Sequence, residues 1–168
     1  NGREETTTMV LVPAVSAAVE IPVLAAGGIA TGRQMLAAMV LGADGVQVGS
    51  RFVACPEASS HEKFKNLVIT SAEGDTQLTL KQLTPVRMLK NNFFAQVQKA
   101  EQQGASVDEL KKLLGRARAK HGMFEGDMEE GELEIGQVSA LIKEIKPAAE
   151  IVKEIWNEFE ATLKQPLK

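Results

Sequence analysis

Two short apolar runs, each stopped by glycine, bracket a helix-length segment between residues 21 and 50, and this spacing limits the fold more than any other feature. Ile21-Pro22-Val23-Leu24-Ala25-Ala26 is almost wholly apolar and ends at Gly27-Gly28. Gly32 to Leu41 is rich in helix formers and is closed by Gly42. Asp44 to Val48 supplies the second run, stopped by Gly49-Ser50. Short continuous apolar runs read as buried parallel strands, with Pro22 tolerable only at a strand's beginning. Strand, glycine pair, helix, glycine, strand, glycine is the rhythm of a βαβ unit.

In a parallel sheet the loops after both strands emerge side by side at one end. Backbone amides of Gly27-Gly28 and Gly49-Ser50, with the start of the helix near Thr31, then suit a phosphate dianion without any basic side chain. Glycine permits close approach and positive φ, and Ser50 adds a hydroxyl. The plainer reading, glycines that merely end strands, stays open on the residues alone. Neither loop is GxGxxG or GxxxxGK[ST], so no nucleotide motif of those kinds is present. In a (β/α)8 barrel, loops after the last two strands form the common phosphate site. Two or three strands in 168 residues are too few for a closed barrel, which raises the expectation of a fragment.

Past residue 53 the rhythm breaks. Residues 57–70, 91–102 and 106–116 read as helices, the last opened by a capping box of Ser106 and Glu109. Residues 76–89 read as extended or irregular around Pro85, and the acid-rich stretch 122–136 as a solvent-facing or site-facing loop whose acids are solvated. Residues 137–145 read as helical. Residues 148–163 place Ala148, Ile151, Val152, Ile155, Trp156, Phe159 and Leu163 on one face, with Trp156 and Phe159 expected in the core or covering the barrel bottom. Residues 6–19 read as a helix that Pro13 divides. The expected division is 1–53, 54–136 and 137–168: last βα units, a mainly helical insertion or lid, and returning helices.

Composition removes several functions. A net charge of −3 gives no basis for nucleic acid or an anionic membrane as the main partner. The single cysteine, Cys55, excludes an intrachain disulfide, has no zinc-type spacing around it and reads as structural. No apolar run reaches membrane-span length, and residues 1–8 lack a secretory leader's pattern, so the expectation is a soluble, cytoplasmic protein. The acids between Glu125 and Glu134 lack EF-hand spacing, and no metal is expected. His61 and His121 read as surface or packing residues.

The segments IPVLAAGGIATGRQMLAAMVLGADGVQVGSRF (21–52), TTTMVLVPAV (6–15), TPVRMLKN (84–91) and GMFEGDMEEGELEIGQVSALI (122–142) resemble the family of nitronate monooxygenases (2-nitropropane dioxygenases) and FabK-type enoyl-acyl-carrier-protein reductases. The resemblance covers nearly the whole sequence and matches the family's C-terminal half; TTMxLVP leans toward the reductase branch. It implies an α/β fold, the C-terminal part of a (β/α)8 TIM barrel with a mainly helical insertion. It also implies one FMN, whose contacts would be Gly27, Gly28, Gln47, Gly49, Ser50 and Gln137. The reductase reading adds NAD(P)H as co-substrate and an acyl-carrier-protein thioester as partner. The alternatives are oxidation of a small alkyl nitronate with dioxygen, and a non-catalytic half-barrel that binds a phosphate ligand. The family's catalytic histidine sits in a Gly-Gly-His element just ahead of the residues matching Asn1-Gly2-Arg3, outside this sequence. A completing N-terminal half of the barrel and a homodimer are implied partners. The resemblance puts Arg87 and Lys90 near the family's pyridine-nucleotide and acyl-carrier side, where they could contact a cofactor phosphate or the acidic carrier protein, with solvated charges as the plainer account; Arg51 follows the phosphate loop and reads as an ion-pair former outside the barrel.

Overall fold

The structure, a computed structural model, describes residues 5–165. Its βαβ unit runs β1 (Leu24–Ala26), α2 (Gly32–Val40) and β2 (Gly45–Gln47), preceded by α1 (Thr8–Ser16). The two strands pair in parallel, with Leu24 opposite Gly45 and Ala26 opposite Gln47. Thr31 caps α2 through a full capping box: its hydroxyl accepts from the Gln34 amide, and the Gln34 side chain accepts from the Thr31 amide. Ala25 packs with Val12 of α1 and Ala38 of α2 in one apolar cluster.

Among the described residues nothing covers the opposite face of this small sheet. Leu24 is 64% exposed, so β1 is not the doubly buried strand that its apolar run implies. The run itself shortens to three residues because Asp44 Oδ2, rather than a neighbouring strand, accepts the Val23 amide. Pro13 does not divide α1. It lies inside a continuous helix, and its carbonyl accepts the Ala17 amide at the end.

The middle region contains α3 (Ser50–Val53), α4 (Glu62–Thr70), α5 (Asn92–Gln102) and α6 (Val107–Leu114). Residues 76–89 are extended, one of the two readings that the sequence allows. They form an antiparallel hairpin of β3 (Thr76–Thr79) and β4 (Val86–Leu89), with Pro85 outside the paired residues. Helix α4 starts five residues later than the sequence pattern suggests, because His61 caps it by accepting the Lys63 amide. Phe93, Phe94 and Val97 of α5 and Leu110 of α6 pack on Val86 and Met88 of the hairpin.

The acid-rich stretch is also not a free loop. A π-type turn spans Lys120–Phe124, and Leu133 and Ile135 are buried with Phe64 and Leu89. The Asn91 side chain donates to the Met128 and Gly131 carbonyls. Arg118 lies 4.4 Å from the Phe93 ring centre and donates to the Glu130 carbonyl. The chain crosses itself here: a Cβ on Gly131 would stand 2.2 Å from the Gly122 Cα, so only glycine fits. Residues 137–145 contribute only a 3-10 turn, Gln137–Leu141.

Helix α7 (Ala148–Leu163) returns to the βαβ unit, though it docks on α2 and α3 more than on the strands. Ile151 and Ile155 pack with Cys55, Met35 and Phe52. Phe159 is buried as expected, but Trp156 is not core: it is 50% exposed beside exposed Val152 and Leu163. The turn of the helix that meets α2 is the one carrying Ile155 and Phe159, which rotates Trp156 outward. Among the described residues there are two two-stranded sheets and no closed barrel.

Candidate functional site

The loop after β1 folds back under α1. Gly27 and Gly28 adopt φ of +98° and +74°, conformations that a Cβ disfavours. The Thr8 hydroxyl donates to the Gly27 carbonyl at 2.9 Å and fixes that turn. Both glycines line a cavity of about 290 Å³ whose far wall is Gly136, Gln137 and the hairpin pair Leu78 and Arg87. A second cavity of about 660 Å³ adjoins it, sharing Gly28 and Gln137 and reaching Gln34 and Lys143.

The loop after β2 meets the same region from below. Gly49 precedes α3, and the Ser50 Oγ accepts the Gly136 amide at 3.1 Å. That bond ties the second glycine loop to the residue before Gln137. Gln47, at the end of β2, is exposed on the bare face of the sheet, in register with Ala26. Of the six residues expected at a phosphate-bearing cofactor, Gly27, Gly28 and Gln137 line the first cavity and Ser50 is bonded to its wall. Gly49 and Gln47 line neither cavity.

Electrostatics separate the remaining candidates. Arg51 is mostly buried and bonds Glu154 at 2.7 Å, while Lys146 bonds the same carboxylate. The Lys146 hydrogen bond foremost, with Arg51 adding to it, holds Glu154 below the usual carboxylate range. Arg51 is therefore an anchor for α7. Cys55 is buried among apolar side chains, as a structural thiol would be. Lys90 is exposed. His61 stacks against Gly126, and His121 pairs with Glu125 on the surface. Among the described residues no group of three or more His, Cys, Asp or Glu side chains could hold a metal. Residues Asn1–Gly2–Arg3 lie outside the described residues.

Arg87, a candidate contact residue by resemblance, lines the first cavity because hairpin pairing brings it there. One feature escaped the sequence pattern. Glu132 is buried, and burial, with the neighbouring Glu134 charge adding and Arg118 opposing, pushes its carboxyl up to about 7. Glu134 is raised by burial as well.

The nitronate monooxygenase family model matches residues 1–158. The chain belongs to that family. A probable nitronate monooxygenase of Bacillus subtilis (strain 168) is 41% identical over 78 residues, which are 46% of this chain and 22% of that relative. The structure of FabK from Thermotoga maritima superposes with a TM-score of 0.89 at 40% identity, over 95% of this chain and 51% of that one. Nitroalkane oxidase from Streptomyces ansochromogenes gives a TM-score of 0.73 at 30% identity, over 93% of this chain and 44% of that one. The fold is thus an α/β fold of the family's type. The chain spans about half the length of these solved structures, and about a quarter or less of the length of the curated relatives it matches. Among the described residues no helix is long and apolar enough to cross a membrane.

Proposed function

We propose that the protein carrying this chain is an FMN-dependent oxidoreductase that oxidises a small alkyl nitronate with dioxygen. The match of the nitronate monooxygenase model to residues 1–158 carries this reading. Open space beside the glycine loops supports a phosphate there: no heavy atom stands within 4 Å of a Cβ built on Gly28 or Gly49. FMN, when bound, supplies an acceptor for one electron or a hydride. The residues of this chain bind and orient. Gly28 and Gly49 offer amides at close approach, and Ser50, already accepting from Gly136, keeps its hydroxyl hydrogen for the phosphate. The Thr8 bond to Gly27 holds the first loop in its positive-φ turn. In this reading residues 54–136 cap the site, further βα units cover the bare face of β1 and β2, and the protein works in the cytoplasm.

A second reading is reduction of an enoyl thioester by NAD(P)H. The FabK structure favours it, matching at 40% identity and TM-score 0.89 against 30% and 0.73 for the nitroalkane oxidase. Oxygen uptake with ethyl nitronate, set against NADPH oxidation with crotonyl thioester in the full-length protein, separates the two. The phosphate site is tested by Gly49→Ala. Its backbone φ of −110° is ordinary and its Cβ space is open, so stability should hold within about 0.5 kcal/mol. FMN affinity should fall at least about tenfold, roughly 1.4 kcal/mol. Unchanged FMN affinity would remove Gly49 from the site.

A further inference from the structure

The first cavity contains a cation whose charge no described carboxylate neutralises. Arg87 donates through Nη1 to the Thr76 carbonyl and hydroxyl, both at 3.3 Å. Among the described residues its Nε and Nη2 make no hydrogen bond and no acid pairs with it. The one acid on the cavity wall, Glu5, is paired with Lys81. A partly buried guanidinium normally meets a carboxylate, because two parallel N–H bonds to two oxygens match its planar fork. Among the described residues the second edge of the fork meets no partner.

The backbone of Arg87 is held from two sides. Arg87 is the residue opposite Leu78 in the hairpin, and its own carbonyl accepts the Ile135 amide at 3.1 Å, next to Gly136. One wall of the cavity therefore presents a cation beside an apolar side chain. An alkyl group against Leu78 and two oxygens sharing a negative charge against Arg87 would satisfy both.

We propose that Arg87 is the residue that recognises substrate in this cavity, binding the two-oxygen anionic head of a small alkyl anion while Leu78 receives the alkyl group. This rests on the oxidoreductase reading for the identity of the anion, a nitronate, and on the cavity alone for its charge and size. Thr76 is then a positioning residue, holding the other edge of the guanidinium.

The test uses the FMN-loaded full-length protein and propionate, a carboxylate of the same shape as ethyl nitronate, with neutral propionamide as control. Binding is read by titration calorimetry, and FMN content by absorbance. The wild type should bind propionate and discriminate against propionamide. Arg87→Gln should weaken propionate at least tenfold with FMN content and far-ultraviolet circular dichroism unchanged. Arg87→Lys, which keeps charge and loses the fork, should fall between, and Thr76→Val should cause a smaller loss while leaving the guanidinium in place. Propionate binding unaffected by Arg87→Gln, or equal binding of propionamide by the wild type, overturns the proposal. Loss of FMN together with propionate in Arg87→Gln also overturns it, assigning the cation to the cofactor phosphate. A wild type that takes up no FMN yet loses propionate binding on Arg87→Gln would refute the flavin reading and leave the anion site standing.

Discussion

Gly32→Ala should loosen α7 from the βαβ unit, and its size follows from the contact itself. A methyl on Gly32 would stand 2.2 Å from the Phe159 nitrogen, 2.3 Å from the Ile155 oxygen and 2.8 Å from the Glu158 carbonyl carbon. These are backbone atoms, so the two helices must separate by about 1 Å or more to reach normal contact distances. Overpacking of this kind costs about 1–3 kcal/mol. The same displacement weakens the bond from the Gly32 amide to Glu158 Oε2, 2.8 Å long, where a carboxylate also meets the positive end of α2. A hydrogen bond to a charged group contributes about 1.5–3 kcal/mol, only part of which is lost. The gain in helix propensity returns at most about 1 kcal/mol and less at the first helical position. The net expectation is a loss of about 2–4 kcal/mol in the full-length protein. The urea midpoint measures it, with hydrogen exchange at the α7 amides as a local readout. Glu158→Gln, which keeps the packing, should cost only about 1 kcal/mol. If Gly32→Ala is within about 0.5 kcal/mol of wild type, the helices are not in contact there and the packing argument fails.

Glu132 gives a pH signature. Its carboxyl holds its proton to about pH 7 in the folded chain and releases it near the ordinary value of 4.5 when unfolded. The folded state therefore binds more protons between those limits, and stability falls as pH rises from about 4.5 to 7, then levels. Glu132→Gln should be on the order of 1–3 kcal/mol more stable at pH 8 and show a shallower slope, with buried Glu134 supplying the remainder; an unchanged slope in urea titrations would place the burial cost elsewhere. Trp156, the single tryptophan, should emit as a half-exposed indole in residues 1–168 and be quenched by acrylamide, whereas a blue-shifted, protected emission would mean the α7 stripe is covered. Light scattering should find residues 1–168 associated, because Met9, Val10, Leu24, Val40 and Trp156 are exposed beside two open strand edges; a monodisperse monomer would contradict this.

The local signals that were legible are those whose physics is local. Glycine at the ends of two apolar runs marked the loops that approach the cavity, and Ser106 with Glu109 marked a helix start through a bond that three residues can make alone. The apolar period of 148–163 correctly marked a helix, yet it assigned Trp156 and Phe159 to the same buried face. Only the approach of Gly32 to the backbone at Ile155 and Phe159 decided which of the two rings faces inward. The acids of 122–136 read as solvated because their own neighbours offer nothing else. Bonds from Asn91 and Arg118, 37 and 12 residues away in sequence, fold that stretch in and bury Glu132. Arg87 shows the same division. Its sequence neighbours give it a strand's alternation, but its place on the cavity wall depends on pairing with Leu78 and on the distant Gly136, which no local pattern encodes. Which backbone positions carry no Cβ is legible residue by residue, and Gly27 and Gly28 use that freedom at positive φ. Which charges beside the cavity meet no partner among the described residues depends on folding, since pairing joins segments brought together from across the chain.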